Sequence, residues 1–137
     1  MVKKISKEEI ELWIRKIEDI HFEITGNKND LMNRGILERI LFEGLRSDRY
    51  DTKEKFVSFI LTEIAINHPF WDGNKRTALL TALRLLYIED ENIMQVYPKN
   101  WEDRTDKIVK FMIEVAEGKH KYRDVLKIIR DRFKSLG

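Results

Sequence analysis

The chain has 137 residues, 42% of them apolar and 36% charged, with a formal net charge of +2. That length can bury about two-thirds of the unfolded surface behind one core, and the composition excludes a disordered or a membrane-embedded chain. There is no cysteine, which also excludes disulfides, thiolate catalysis and cysteine zinc sites.

No window approaches the roughly 20 apolar residues of a membrane span. Glu8, Glu9 and Glu11 sit where a secretion signal needs its apolar segment. With two prolines and six glycines, long regular elements are expected. The expectation is a cytoplasmic, all-α, single domain over residues 1–137.

Ser6 and Glu9 have capping-box spacing and open a first helix. Its apolar residues Ile10, Trp13, Ile14, Ile17 and Ile20 recur at helical period. Residues 25–30 read as a turn. A second helix is predicted from about Asn33 to Gly44, carrying Ile36, Leu37, Ile40 and Leu41. Arg46 to Asp51 reads as a polar loop, and Asp51 or Thr52 caps a third helix ending near Asn67. That helix is apolar on nearly every side and stops because Pro69 disfavours helical angles at His68. A fourth, almost as apolar, is predicted from Asn74 to about Ile88. Asn100 and Asp103 are expected to open a fifth helix reaching Gly118. The last 20 residues hold seven Lys or Arg against two Asp, a local +5, and form a sixth. A small hairpin is entertained near residues 45–51 or 92–98. A basic tail can attract nucleic acid, but only Tyr122 and Phe133 interleave its cations, so that reading ranks last.

Chemistry concentrates in the loop between the two most apolar helices, running from His68 through Pro69, Phe70, Trp71, Asp72, Gly73, Asn74, Lys75 and Arg76 to Thr77. Gly73 can turn the chain at positive φ, and the N–H groups of a helix start then face one way as an anion site. Lys75 and Arg76 fall in a first helical turn, where the helix dipole disfavours cations. The other predicted starts carry acids instead: Glu8 and Glu9, Glu54, and Glu102 with Asp103. A local rule broken at one place points to a ligand that repairs it, and phosphate is the natural one. His68 can serve as a general base near neutral pH. Asp72 can hold magnesium together with phosphate oxygens, or simply cap the helix. Phe70 reads as the plug that anchors the loop in the core; Trp71 reads equally as an exposed cover or as packing. His21 and His120 have no partner visible in sequence and receive no role.

This nonapeptide, His68 to Arg76, resembles the signature of the Fic/Doc superfamily, specifically its death-on-curing (Doc) branch. The resemblance extends to Asn67, to Gly35-Ile36-Leu37-Glu38 and to Tyr50, and covers roughly residues 15–95. In the AMP-transferring Fic branch a glycine stands at the position of Lys75 and a second arginine at that of Leu79. By resemblance, a Doc-type protein binds ATP in reversed orientation and transfers the γ-phosphoryl group to a protein hydroxyl. His68 would then deprotonate the target Ser or Thr, and Asp72 would coordinate Mg²⁺. The Gly73 and Asn74 backbone, the Asn74 side chain and Thr77 would cradle phosphate oxygens, and Lys75 and Arg76 would stabilise the transferring charge. The resemblance further implies a toxin acting on a protein such as translation elongation factor Tu, a small antitoxin partner, and a target-docking flap near Arg46 to Asp51. The self-inhibitory Ser/Thr-x-x-x-Glu-Gly/Asn helix of many Fic proteins is not matched, since Ile113 stands at its first position. AMP transfer and a non-catalytic nucleotide- or partner-binding module remain the alternatives.

Overall fold

Ser6 starts the first helix as its spacing to Glu9 predicts. In the computed structural model, which describes residues 4–87 and 93–134, the Ser6 hydroxyl accepts the Glu9 N–H at 3.1 Å. Helix α1 (Lys7–Thr25) ends where Gly26 turns left-handed, and it buries Ile14, Ile17, Ile20 and His21. Helix α2 (Arg34–Arg46) buries Leu37, Ile40 and Leu41. It comes so close to its neighbour that a Cβ on Gly44 would lie 3.0 Å from the rings of Phe56 and Phe59. A 3-10 turn, Asp48–Tyr50, follows.

Helix α3 (Lys53–Asn67), capped by the Thr52 hydroxyl, is the axis of the molecule. α2, α4, α6 and α7 all pack against it. This is why Val57, Phe59, Ile60, Leu61, Ile64 and Ala65 are buried around its whole circumference. Its two enclosed hydroxyls are satisfied: Ser58 donates to the Tyr122 carbonyl and Thr62 to the Ser58 carbonyl. Helix α4 (Asn74–Leu86) lies against α3 and α1 and buries Ala78, Leu79, Leu80, Ala82 and Leu83. Arg84 of α4 and Glu23 of α1 close a two-pronged ion pair at 2.6 Å. Its hydrogen bonds hold the Glu23 carboxyl below the usual range and tie α1 to α4.

A short α5 (Ile93–Val96), α6 (Lys107–Ala116) and α7 (Tyr122–Lys134) complete the fold. Buried side chains from each of the described α-helices join one cluster. Among the described residues there is no strand, and an isolated bridge joins Leu31 to Phe70. The architecture is all-α. No described helix is long and apolar enough to cross a membrane.

Three expectations are corrected. The hairpin is absent: residues 45–46 end α2, 48–50 form the 3-10 turn, and the described part of the second stretch contains α5. The fourth predicted helix stops at Leu86, and Ile88 lies outside the described residues. Asn100 and Asp103 do not open a helix. Their side chains accept the N–H two residues on, from Glu102 and Thr105 at 3.0 Å each. Such turns compete with helix, and α6 starts later, where Asp106 accepts the N–H groups of Ile108 and Val109.

Candidate functional site

The motif loop is built from its ends inward. α3 terminates at His68, whose φ of 50° is left-handed and whose N–H closes the last turn on the Ile64 carbonyl. Pro69 cannot continue the helix, and the chain instead runs beside the segment after α1. Met32 N–H donates to the Pro69 carbonyl at 2.8 Å, and Trp71 N–H to the Asp30 carbonyl at 3.0 Å. This pairing sends Phe70 inward, where it is 2% exposed and stacks on the His21 ring at 4.0 Å. The plug expected at Phe70 is therefore present. Trp71 resolves to the solvent side, 69% exposed, and His68 is exposed as well.

Asn74 closes the loop from the other end. Its carboxamide oxygen accepts the Phe70 N–H at 2.9 Å, and its nitrogen donates to the Phe70 carbonyl at 2.8 Å. This corrects the expectation for its side chain: the buried amide shapes the turn, and what it can offer a phosphate is its backbone N–H. Gly73, at φ 76°, precedes α4. A Cβ there would meet Thr25 Cγ2 at 2.8 Å, so glycine is required both by conformation and by space.

The start of α4 has no side-chain cap and no acid in its first turn. The dipole and free N–H groups therefore face outward beside two cations. Lys75 is half-buried and makes no ion pair among the described residues; Arg76 reaches only the Asp72 carboxylate, at 3.4 Å. Thr77, at the fourth helical position, is buried with no hydrogen-bond partner for its hydroxyl.

The contrast with other helix starts is narrower than the sequence suggests. Glu8 and Glu9, and Glu54, do lie in first turns, but α6 has none, because Glu102 and Asp103 precede it. α2 also lacks a cap and begins with Arg34. There, however, Arg34 is neutralised by Glu11 and Glu38, whereas Lys75 has no such relief.

Asp72 presents its carboxylate to solvent, 75% exposed. No group of three or more potential metal ligands exists among the described residues. One exposed carboxylate, met only by Arg76 at 3.4 Å among the described residues, does fit magnesium, which is held by one or two protein oxygens plus substrate phosphates rather than by a protein cage. A groove of about 570 Å³ along α1 and α4, and one of about 450 Å³ along α1 and α2, lie apart from this loop. Anion binding at a helix start needs N–H groups and cations rather than an enclosed cavity.

The residues that sequence reading missed are His21 and Asp30. Both hold the loop from behind: His21 Nε2 lies 2.8 Å from the Asp72 carbonyl and 3.0 Å from Asp30 Oδ2. The signal was a polar residue continuing the buried stripe Ile14, Ile17 at helical spacing.

The model of the Fic/DOC family matches residues 11–86, more than half of the chain. No curated protein gives a significant match.

Proposed function

The chain belongs to the Fic/DOC family, whose members are typically transferases, and from that premise we propose that it moves the γ-phosphoryl group of ATP onto a Ser or Thr hydroxyl of a protein. The observation that carries this reading is the start of α4, uncapped and acid-free, with Lys75 and Arg76 in its first turn. Such a start stabilises charge on phosphate oxygens as the terminal group is transferred. Leu79 supports the choice of donor atom. It is 1% exposed and part of the core, so the helix has no second arginine there to grip a terminal phosphate in the AMP-transferring orientation.

In this reading His68, exposed at the rim of the loop, accepts the proton of the target hydroxyl as its oxygen attacks the γ-phosphorus. The bond from that phosphorus to the β,γ-bridging oxygen breaks, and ADP leaves. Gly73 and Asn74 offer backbone N–H groups to phosphate oxygens, and Lys75 and Arg76 balance the charge on the leaving diphosphate; the Thr77 hydroxyl is enclosed in the core and takes no part. Asp72 would hold Mg²⁺, which supplies electrostatic neutralisation of the phosphates. The 3-10 turn at Asp48–Tyr50 is the candidate for docking the target. Restraint by a small antitoxin partner, and a target such as elongation factor Tu, belong to the same proposal.

The test is transfer of label from ATP to protein in a lysate of susceptible cells. Label at the γ position is expected to pass to a protein band while label at the α position does not. Transfer from the α position would replace this reading with AMP transfer. Transfer from neither, with ATP bound, would leave a nucleotide-binding module.

A further inference from the structure

Two residues outside the motif grip the peptide units on both sides of Asp72. The Asp72 N–H donates to Asp30 Oδ2 at 3.2 Å. His21 Nε2 lies 2.8 Å from the Asp72 carbonyl oxygen, which can only accept, so the ring nitrogen carries the hydrogen. The same Asp30 oxygen lies 3.0 Å from His21 Nε2, and the ring of contacts is closed. Its members come from the end of α1, from the segment ahead of α2 and from the motif loop, 51 and 42 residues apart in sequence.

His21 is 2% exposed, and a buried imidazole in an apolar core needs a compensating partner. Its stacking on Phe70 would be served equally well by an apolar ring. Thr25 supports it from below: its hydroxyl donates to the His21 carbonyl at 2.9 Å and stands 3.5 Å from Nδ1. The Asp72 carboxylate itself makes no contact with the ring of bonds. It is left projecting outward, with Arg76 at 3.4 Å, while its backbone is fixed behind it. Gly73 follows directly, its Cα facing Thr25 and His21. Fixing the Asp72 peptide therefore fixes two things at once: the direction of the Cα–Cβ bond from which the carboxylate projects, and the angle at which the N–H groups of α4 begin.

We infer that His21 and Asp30 are positioning residues for the phosphate–magnesium site, acting through the Asp72 main chain to pre-aim its carboxylate. This rests on the function proposed above and adds to it the residues that make the site rigid. Outer residues that orient a metal ligand are worth about 10–100-fold in metal affinity, and preorganisation of this kind reduces the ordering that binding would otherwise require.

The test is isothermal titration of the full chain with ATP, with Mg²⁺ and again in EDTA, for wild type, His21→Leu, His21→Gln and Asp30→Ala, alongside thermal melting. Leucine keeps apolar packing on Phe70 and removes the donor; glutamine returns an N–H donor close to the position of Nε2. The expected result is a loss of about 10–100-fold in Mg²⁺-dependent ATP affinity for H21L and D30A, a much smaller change in EDTA, and near wild-type affinity for H21Q. Should H21L fail to fold, D30A against H21Q carries the same comparison. Wild type that binds, with D30A and H21L equal to it, overturns this inference and leaves the proposed function standing. H21Q as weak as H21L also overturns it, because the role of His21 would then be packing alone. Wild type that binds no ATP overturns the proposed function and this inference together.

Discussion

His68→Ala is expected to lower γ-label transfer by roughly 10²–10⁴-fold, the range that a positioned general base supplies, while ATP binding and the melting curve change little. The physical ground is that His68 is exposed, and its backbone N–H rather than its ring closes the last turn of α3. One complication is conformational. His68 sits at φ 50°, where most side chains are strained and asparagine is among the best tolerated. His68→Asn therefore keeps the turn and removes the base, and it is expected to be as inactive as the alanine variant. Under the proposed function, expression of the wild type arrests growth and expression of either variant does not. If the asparagine variant labels protein as wild type does, the turn matters and the imidazole does not, and His68 is not the base.

The second large effect is expected at Gly73. Gly73→Ala meets two separate obstacles. A left-handed residue with a Cβ costs about 1–2 kcal/mol, and a methyl 2.8 Å from Thr25 Cγ2 adds overpacking of about 1–3 kcal/mol. Gly26 supplies an internal control, because it has nearly the same φ, 73°, but open space where its Cβ would go. Urea unfolding should show Gly26→Ala losing only the conformational part and Gly73→Ala losing distinctly more. ATP affinity should be lost in the Gly73 variant and retained in the Gly26 variant, since only the former tilts the start of α4. Equal stability losses would mean that the loop yields easily and that the close approach has no consequence.

The sequence made α1 to α4 legible because their signals are local. Ser6 and Thr52 are hydroxyl caps at the predicted places, and the apolar spacing of Ile14, Ile17, Ile40 and Leu41 needs no knowledge of partners. The motif loop was legible for a similar reason, since its turn, plug and cations are contiguous. Side chains with two plausible local fates were not. Asn100 and Asp103 look like helix caps but fold back on their own chain. Asn74 reads as a phosphate ligand, but its amide is taken by the Phe70 backbone. His21 and Asp30 were invisible as functional residues because what they hold lies on another element. The supposed rarity of a cation-bearing helix start also weakened once Arg34 proved to open α2. What separates the two starts is that Arg34 is met by two carboxylates, Glu38 one turn on and Glu11 23 residues away, whereas Lys75 is met by none among the described residues.

Backbone amide signals of the full chain, followed during titration with ATP and Mg²⁺, test directly whether the start of α4 is a triphosphate site. The largest changes are predicted at Gly73, Asn74, Lys75, Arg76 and Thr77, with smaller ones at Asp30 and Asp72. Signals in this stretch that stay fixed while those along the α1 groove move, or no movement anywhere at saturating nucleotide, would contradict it.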